Sequence, residues 1–284
     1  MFFAFISAGS IDNSFFEAVD KFNNLVDYEA YETNLGKEVL DICEKAKKEN
    51  ENQSDDTLRI YRNAVLDGFI GTILLKRNSY ISGIARTGDS QKNWEKITSS
   101  RFADEANFVL ALTEYYKITL FNKSPKNDKK LNAVINKMRA VVAKEDEVLL
   151  KLSLSYIWVL RDQNLWDEAE KLSARFFGKF PDNTLMLRAM QAIASDNKNT
   201  GEIRFYAEKL AKISLNRNPI NYSDYLSAKR AEIFALNLEN KKEKACEIAN
   251  KTIEFSKTIP TEDRKISWVK KHLEAIEKES KKCK

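Results

Sequence analysis

Ala169-Glu170-Lys171-Leu172 returns letter for letter as Ala207-Glu208-Lys209-Leu210, and more loosely as Ala245-Cys246-Glu247-Ile248. The three alanines are evenly spaced, 169 to 207 being the same step as 207 to 245. The echo continues along one helix face through Ser173, Ala211 and Ala249, then Phe177, Leu215 and Ile253. A fixed period in this range predicts helical hairpins that bury their apolar faces against their neighbours. Such a chain builds surfaces that hold other molecules.

Composition agrees with that reading. Eight Gly and four Pro in 284 residues are too few for the turns of a many-stranded sheet protein. The good helix formers Ala, Leu, Glu and Lys dominate. The expected fold is all-α: a right-handed superhelical solenoid of antiparallel pairs, about twelve helices in all.

The first half is less regular. Phe15, Val19, Phe22 and Val26 form a helical stripe over 14–27, and Val39, Leu40, Ile42 and Ala46 form another over 35–48. Asp55 or Asp56 is placed to cap a long helix running to Leu75. Gly68, Gly71, Gly83 and Gly88 gather half the glycines of the chain into one short stretch. Each costs a helix about 1 kcal/mol, so close approach of a neighbouring helix is the expected compensation. A returning helix, bent near Gly88, follows from Tyr80 to Ile97, and an apolar one spans 103–121. The polar stretch 122–130 divides irregular hairpins (11–122) from regular repeats (131–284), which continue the first half.

Within the regular half, Ala169, Leu172, Ser173, Phe176 and Phe177 have the spacing of a buried helix face. Pro181 and Pro219, separated by the same step as the alanines, are placed to end the second helix of each pair. Trp166-Asp167-Glu168-Ala169 followed by Pro181, and Ala207 followed by Pro219, resemble the tetratricopeptide repeat family over roughly 145–260. The usual unit there is about 34 residues, so the period here is longer by about one helical turn. Ile157 and Ile233 depart from the small residue expected in the first helix, while Ser195 keeps it. The resemblance implies a protein-interaction scaffold, with Trp166 packed between hairpins.

Chemistry is sparse. Cys43, Cys246 and Cys283 lack the paired spacing of a disulfide framework or a zinc site, and read as small apolar fillers or, for Cys283, a tail thiol. The single histidine, His272, sits beside Lys270 and Lys271 and reads as a surface residue. Asp55-Asp56 and Glu145-Asp146-Glu147 read as helix caps. No catalytic residue, metal site or cofactor is expected. Arg77, Tyr80, Arg86 and Arg101 cluster around the glycine-rich turn and form the candidate partner-binding set, suited to a carboxylate-bearing peptide.

No run of apolar residues is long enough to span a membrane. Met1 to Ile6 is apolar and Ser7 to Ser10 small, which reads as the remnant of a signal peptide over residues 1–10 and favours a periplasmic or secreted location. A short hydrophobic arm on a cytoplasmic protein is the alternative. The expected function is a non-enzymatic scaffold gripping a protein or peptide. The alternatives are a carrier of a small apolar or lipid-like ligand near Tyr115 and Tyr116, and a nucleic-acid binder using the basic C-terminal helix. Nucleic acid is the less favoured partner: from 257 to 284 nine Lys/Arg are interleaved with five Asp/Glu, which would repel phosphate.

Overall fold

The structure is a computed structural model that describes residues 13–98, 101–121, 127–144 and 152–283. The apolar start, residues 1–10, most of the polar stretch 122–130, and the expected cap Glu145-Asp146-Glu147 therefore lie outside the described residues. Thirteen α-helices and no strand occur among those described. They are α1 (Asn13–Tyr28), α2 (Asn34–Asn50), α3 (Asp56–Lys76), α4 (Tyr80–Glu95), α5 (Ala103–Phe121), α6 (Asp128–Val142) and α7 (Leu152–Asp162). The remainder are α8 (Trp166–Lys179), α9 (Thr184–Asp196), α10 (Thr200–Leu215), α11 (Tyr222–Leu238), α12 (Lys242–Ser256) and α13 (Ser267–Lys281).

The chain divides into two compact units. One comprises the residues up to Asn24 and Asn34–Val159; the other comprises Leu25–Thr33 and Leu160–Lys284. The division falls inside α7, and the second unit recruits a short segment from far upstream.

In the first unit, α3 packs on α2 and on α4, and α5 on α4 and α6. Asp55 caps α3 as its position suggested, accepting a hydrogen bond from the Leu58 amide. Phe22 stacks on Phe69 with ring centroids 3.9 Å apart, and Tyr61 stacks on Phe102 at 3.8 Å. The glycines explain the tight α3–α4 pair. A methyl group on Gly71 would lie 2.7 Å from Thr87 Oγ1, and one on Gly83 would lie 2.7 Å from Leu75 Cγ. The two backbones meet where neither carries a side chain. Gly88 has open space around it, and α4 runs through it as one helix.

In the second unit each helix from α8 to α13 packs on the next. The alternate pairs α9–α11 and α11–α13 also touch, as stacked hairpins require. Ala169, Ala207 and Ala245 are all buried, as are Ser173, Ala211 and Ala249. The next member of the echo departs from the pattern: Leu215 is exposed and Phe177 half-buried, while Phe176 takes the core position.

The hairpin turns reveal why the alanines are so evenly spaced. Asn164, Lys198 and Asn240 each adopt a positive φ between paired helices. In each case the following amide bonds back to the carbonyl five residues earlier: Leu165 to Leu160, Asn199 to Ala194, and Lys241 to Leu236. This is one C-terminal capping motif used three times. Its copies are not evenly spaced: the step from 164 to 198 is shorter than the step from 198 to 240. Ala169 and Ala245 are thus the fourth residues of their helices, Ala207 is the eighth, and Ile203 fills the fourth position of α10. A slip of four residues returns to nearly the same helix face, so the echo survives in sequence while the register moves by one turn. The α3–α4 turn obeys the same rule, with Asn78 at φ 63° and the Ser79 amide bonded to Leu74. Gly83 occupies the fourth position of α4. The glycine-rich hairpin is therefore built on the same plan as the later ones.

The prolines behave unequally. Pro181 follows the end of α8 at Lys179 closely, whereas α10 stops at Leu215, four residues before Pro219. Pro219 instead lies shortly before α11, with a cis bond to Asn218. Trp166 is half-buried as the first residue of α8.

The cysteines and the histidine depart from expectation. Cys246 and Cys283 form a disulfide joining α12 to the end of α13, although 37 residues separate them in sequence. Cys43 alone is free; burial pushes its thiol up to about 12. His272 is not on the surface. It is buried with Val269 and Ile276 on the inner face of α13, because spacings of three and four put the three on one stripe. Its ring stacks on Trp268 at 5.3 Å.

Candidate functional site

The four residues singled out around the glycine-rich turn do not converge. Arg77 forms the C-cap of α3, and Tyr80 opens α4 with its hydroxyl donating to Asn78 Oδ1 at 2.8 Å. Arg86 faces inward, donating to Glu44 at 2.8 and 3.0 Å and to Asp67 at 3.3 Å, where Lys47 also bonds. Asp67 is buried, and that burial raises its carboxyl above the usual range against the pull of Lys47 and Arg86. Arg86 thus helps hold α2, α3 and α4 together. Arg101 lies past the far end of α4, about 24 Å of helix from Tyr80, with its guanidinium 4.7 Å from the Phe102 ring. The first turn of α4 leaves an apolar surface open, where Tyr80, Ile81 and Ile84 are exposed, Ile81 by 88%.

A denser polar constellation lies in the second unit. Arg188 stands within the apolar run Met186-Leu187-Arg188-Ala189-Met190 on α9. Its neighbours are core residues, so its charge must be met locally. Asp224 on α11 meets it, and so do Glu29 at 3.5 Å and the main-chain carbonyl of Asp27. Burial disfavours the arginine charge, but Asp224, Glu29 and Asp27 more than offset that and hold its pKa above the usual value. Burial likewise pushes Asp224 up to about 6, against the pull of Arg188 and Arg217.

The same residues grip the segment 25–33. Asn221 caps α11 through its side-chain oxygen, which accepts from the Asp224 amide, while its Nδ2 donates to the Asp27 carbonyl at 2.9 Å. Thr184, at the start of α9, donates to Asp27 Oδ1 at 2.6 Å, and Arg217 pairs with Asp27 Oδ2. Tyr28 donates to the Pro219 carbonyl at 2.9 Å, with the Arg217 guanidinium 5.7 Å from its ring centroid. Ala30 and Tyr31 are buried, and Ser267 donates to Glu32.

None of this set was read from the sequence. The available signal was Arg188 itself, a charge inside an apolar helical stripe, which requires a partner. Its partners lie 36 residues downstream and about 160 upstream, beyond the reach of local patterns.

Two further perturbed groups are buried in the core. Glu105 is pushed up to about 8 by burial, although the Tyr61 hydroxyl donates to it at 3.0 Å. His272 is driven down to about 3 by burial and by Arg230, Lys271 and Arg188. Among the described residues no cluster of His, Cys, Asp and Glu has the arrangement of a metal site, and no helix is long and apolar enough to cross a membrane. Comparison with protein-family models, curated proteins and solved structures finds no match to this chain.

Proposed function

We propose that this chain is a non-enzymatic helical-repeat scaffold that holds a protein or peptide partner. The observation that carries the reading is the grip on residues 25–33. Here the first helices of successive hairpins, α9 and α11, bind a short segment through side-chain contacts to both its carboxylate and its main chain. That is how repeat scaffolds hold extended partners. The tetratricopeptide-like part of the reading draws on the interval between the turns at Asn164 and Lys198, which equals that family's unit length. A non-enzymatic role accords with the placement of Glu105, Asp224 and His272, whose perturbed ionisation belongs to buried packing. The exposed Tyr80, Ile81 and Ile84 give the first unit a second apolar contact surface.

An extracytoplasmic location follows from the same reading. A cysteine pair placed to form a disulfide persists in an oxidising compartment and is reduced in the cytosol. Acid quenching of native cells, followed by denaturing alkylation, should label Cys43 alone; labelling of all three cysteines would place the protein in a reducing compartment.

The scaffold itself is tested by affinity capture with the full, oxidised chain as bait, using an unrelated helical-repeat protein as control. A specific protein that also recovers this chain when the roles are reversed supports the reading. Recovery of nothing beyond the control overturns it.

A further inference from the structure

We propose that the start of α9, the start of α11 and the turn between Arg217 and Asn221 form a recognition site for an acidic, tyrosine-bearing peptide, and that residues 25–33 occupy it in cis. This rests on the scaffold reading and names its binding surface.

The receiving surface contributes Arg188, Arg217, Asn221 and Thr184, with Asp224 as its own carboxylate. Two guanidinium groups therefore face one built-in anion. The segment Asp27-Tyr28-Glu29-Ala30-Tyr31-Glu32 supplies the missing negative charge through Asp27 and Glu29. Without such a segment the surface carries an excess of positive charge in a part-buried setting, which favours an incoming carboxylate.

Recognition also extends to the backbone. Arg188 and Asn221 both donate to the Asp27 carbonyl, an acceptor at the end of α1 with no helical partner. Tyr28 lies under Arg217 with its hydroxyl bonded to Pro219, and Tyr31 is buried. Side chain, main chain and aromatic ring are all read within five residues. Packing between two helices alone does not require that combination. Among the described residues before 160, this segment alone groups with the second unit.

A tethered segment competes at an effective concentration in the millimolar range. A partner with the same chemistry would thus enter by displacement, and weakening the internal segment should open the site.

The test uses the full chain and a fluorescein-labelled synthetic peptide of sequence Leu-Val-Asp-Tyr-Glu-Ala-Tyr-Glu-Thr, read by anisotropy. Asp27→Ala in the chain should raise affinity for the peptide by about tenfold or more over wild type. Adding Arg217→Ala to that chain should remove the gain, and a probe with alanine in place of its aspartate should bind no better to either. Should Asp27→Ala lose the wild-type circular dichroism, Tyr28→Phe weakens the segment by one hydrogen bond and gives the same readout. A folded chain with the weakened segment that binds no better than wild type overturns the proposal, as does a gain that survives Arg217→Ala. A captured partner retained equally by wild type and Asp27→Ala would leave the scaffold reading intact and overturn this one.

Discussion

Gly83 and Gly88 share helix α4, and a methyl group would have opposite consequences at the two. At Gly83 it would sit 2.9 Å from the Leu75 backbone nitrogen, so α3 and α4 would have to separate. Overpacking of that kind costs about 1–3 kcal/mol, more than the helix-propensity gain of roughly 1 kcal/mol. At Gly88 nothing lies within 4 Å and only the gain remains. Gly83→Ala should therefore lower the free energy of urea unfolding, and Gly88→Ala should raise it by about 0.5–1 kcal/mol. Glu105 offers a pH test. Its unfolded carboxyl ionises near 4.5, while the folded one keeps its proton up to about 8. Between those values the folded chain holds the extra proton, so this group's contribution falls as pH rises and levels off above about 8. Glu105→Gln removes that decline. Its advantage over wild type should grow from pH 5 to pH 9, reaching a few kcal/mol in order of magnitude. The sequence made the glycine contact legible, because two glycines in an apolar helical run imply a close neighbour. It did not reveal the burial of His272. The flanking Lys270 and Lys271 suggested a surface, yet the helical period set the histidine on the stripe with Val269 and Ile276.

Among the described residues five turns between consecutive helices carry a non-glycine residue at positive φ: Glu29, Asn78, Asn164, Lys198 and Asn240. Asparagine tolerates this conformation and glycine adopts it freely, whereas lysine is strained by its Cβ. The Lys198 side chain is exposed, so its replacement removes no core contact. Lys198→Gly should raise stability by about 0.5–1 kcal/mol, and the same change at Asn164 by less; thermal unfolding of the two variants side by side checks the order. Most helices were readable from their apolar stripes, and the ends of α1 to α5 fall within a few residues of where the stripes stop. The register of the repeat was not readable in the same way. A four-residue slip preserves the buried face, so matching letters locate the face of α10 but not its first turn.

What the whole molecule adds is contact between residues distant in sequence, which no window of local pattern contains. The placement of residues 25–33 in the second unit depends on pairings across about 160 to 190 positions, and Cys246–Cys283 spans 37. The disulfide makes redox state a global variable confined to one unit. It closes a ring that includes most of α12 and all of α13, and the loss of chain entropy on closing such a ring stabilises by about 4 kcal/mol in the simplest treatment. The helix it pins is held otherwise by Ile266, Val269, His272 and Ile276, a narrow stripe on an otherwise lysine-rich surface. Reduction should therefore loosen α13 first and α12 next, with the α3–α4 pair of the other unit unaffected. Hydrogen exchange on the oxidised chain and on the reduced, alkylated chain separates these outcomes. Faster exchange is expected in the amides of residues 242–281 and unchanged protection in 56–95. Equal acceleration in both units would mean that the bond stabilises the chain as one body, and no acceleration anywhere would mean that the apolar stripe alone secures α13.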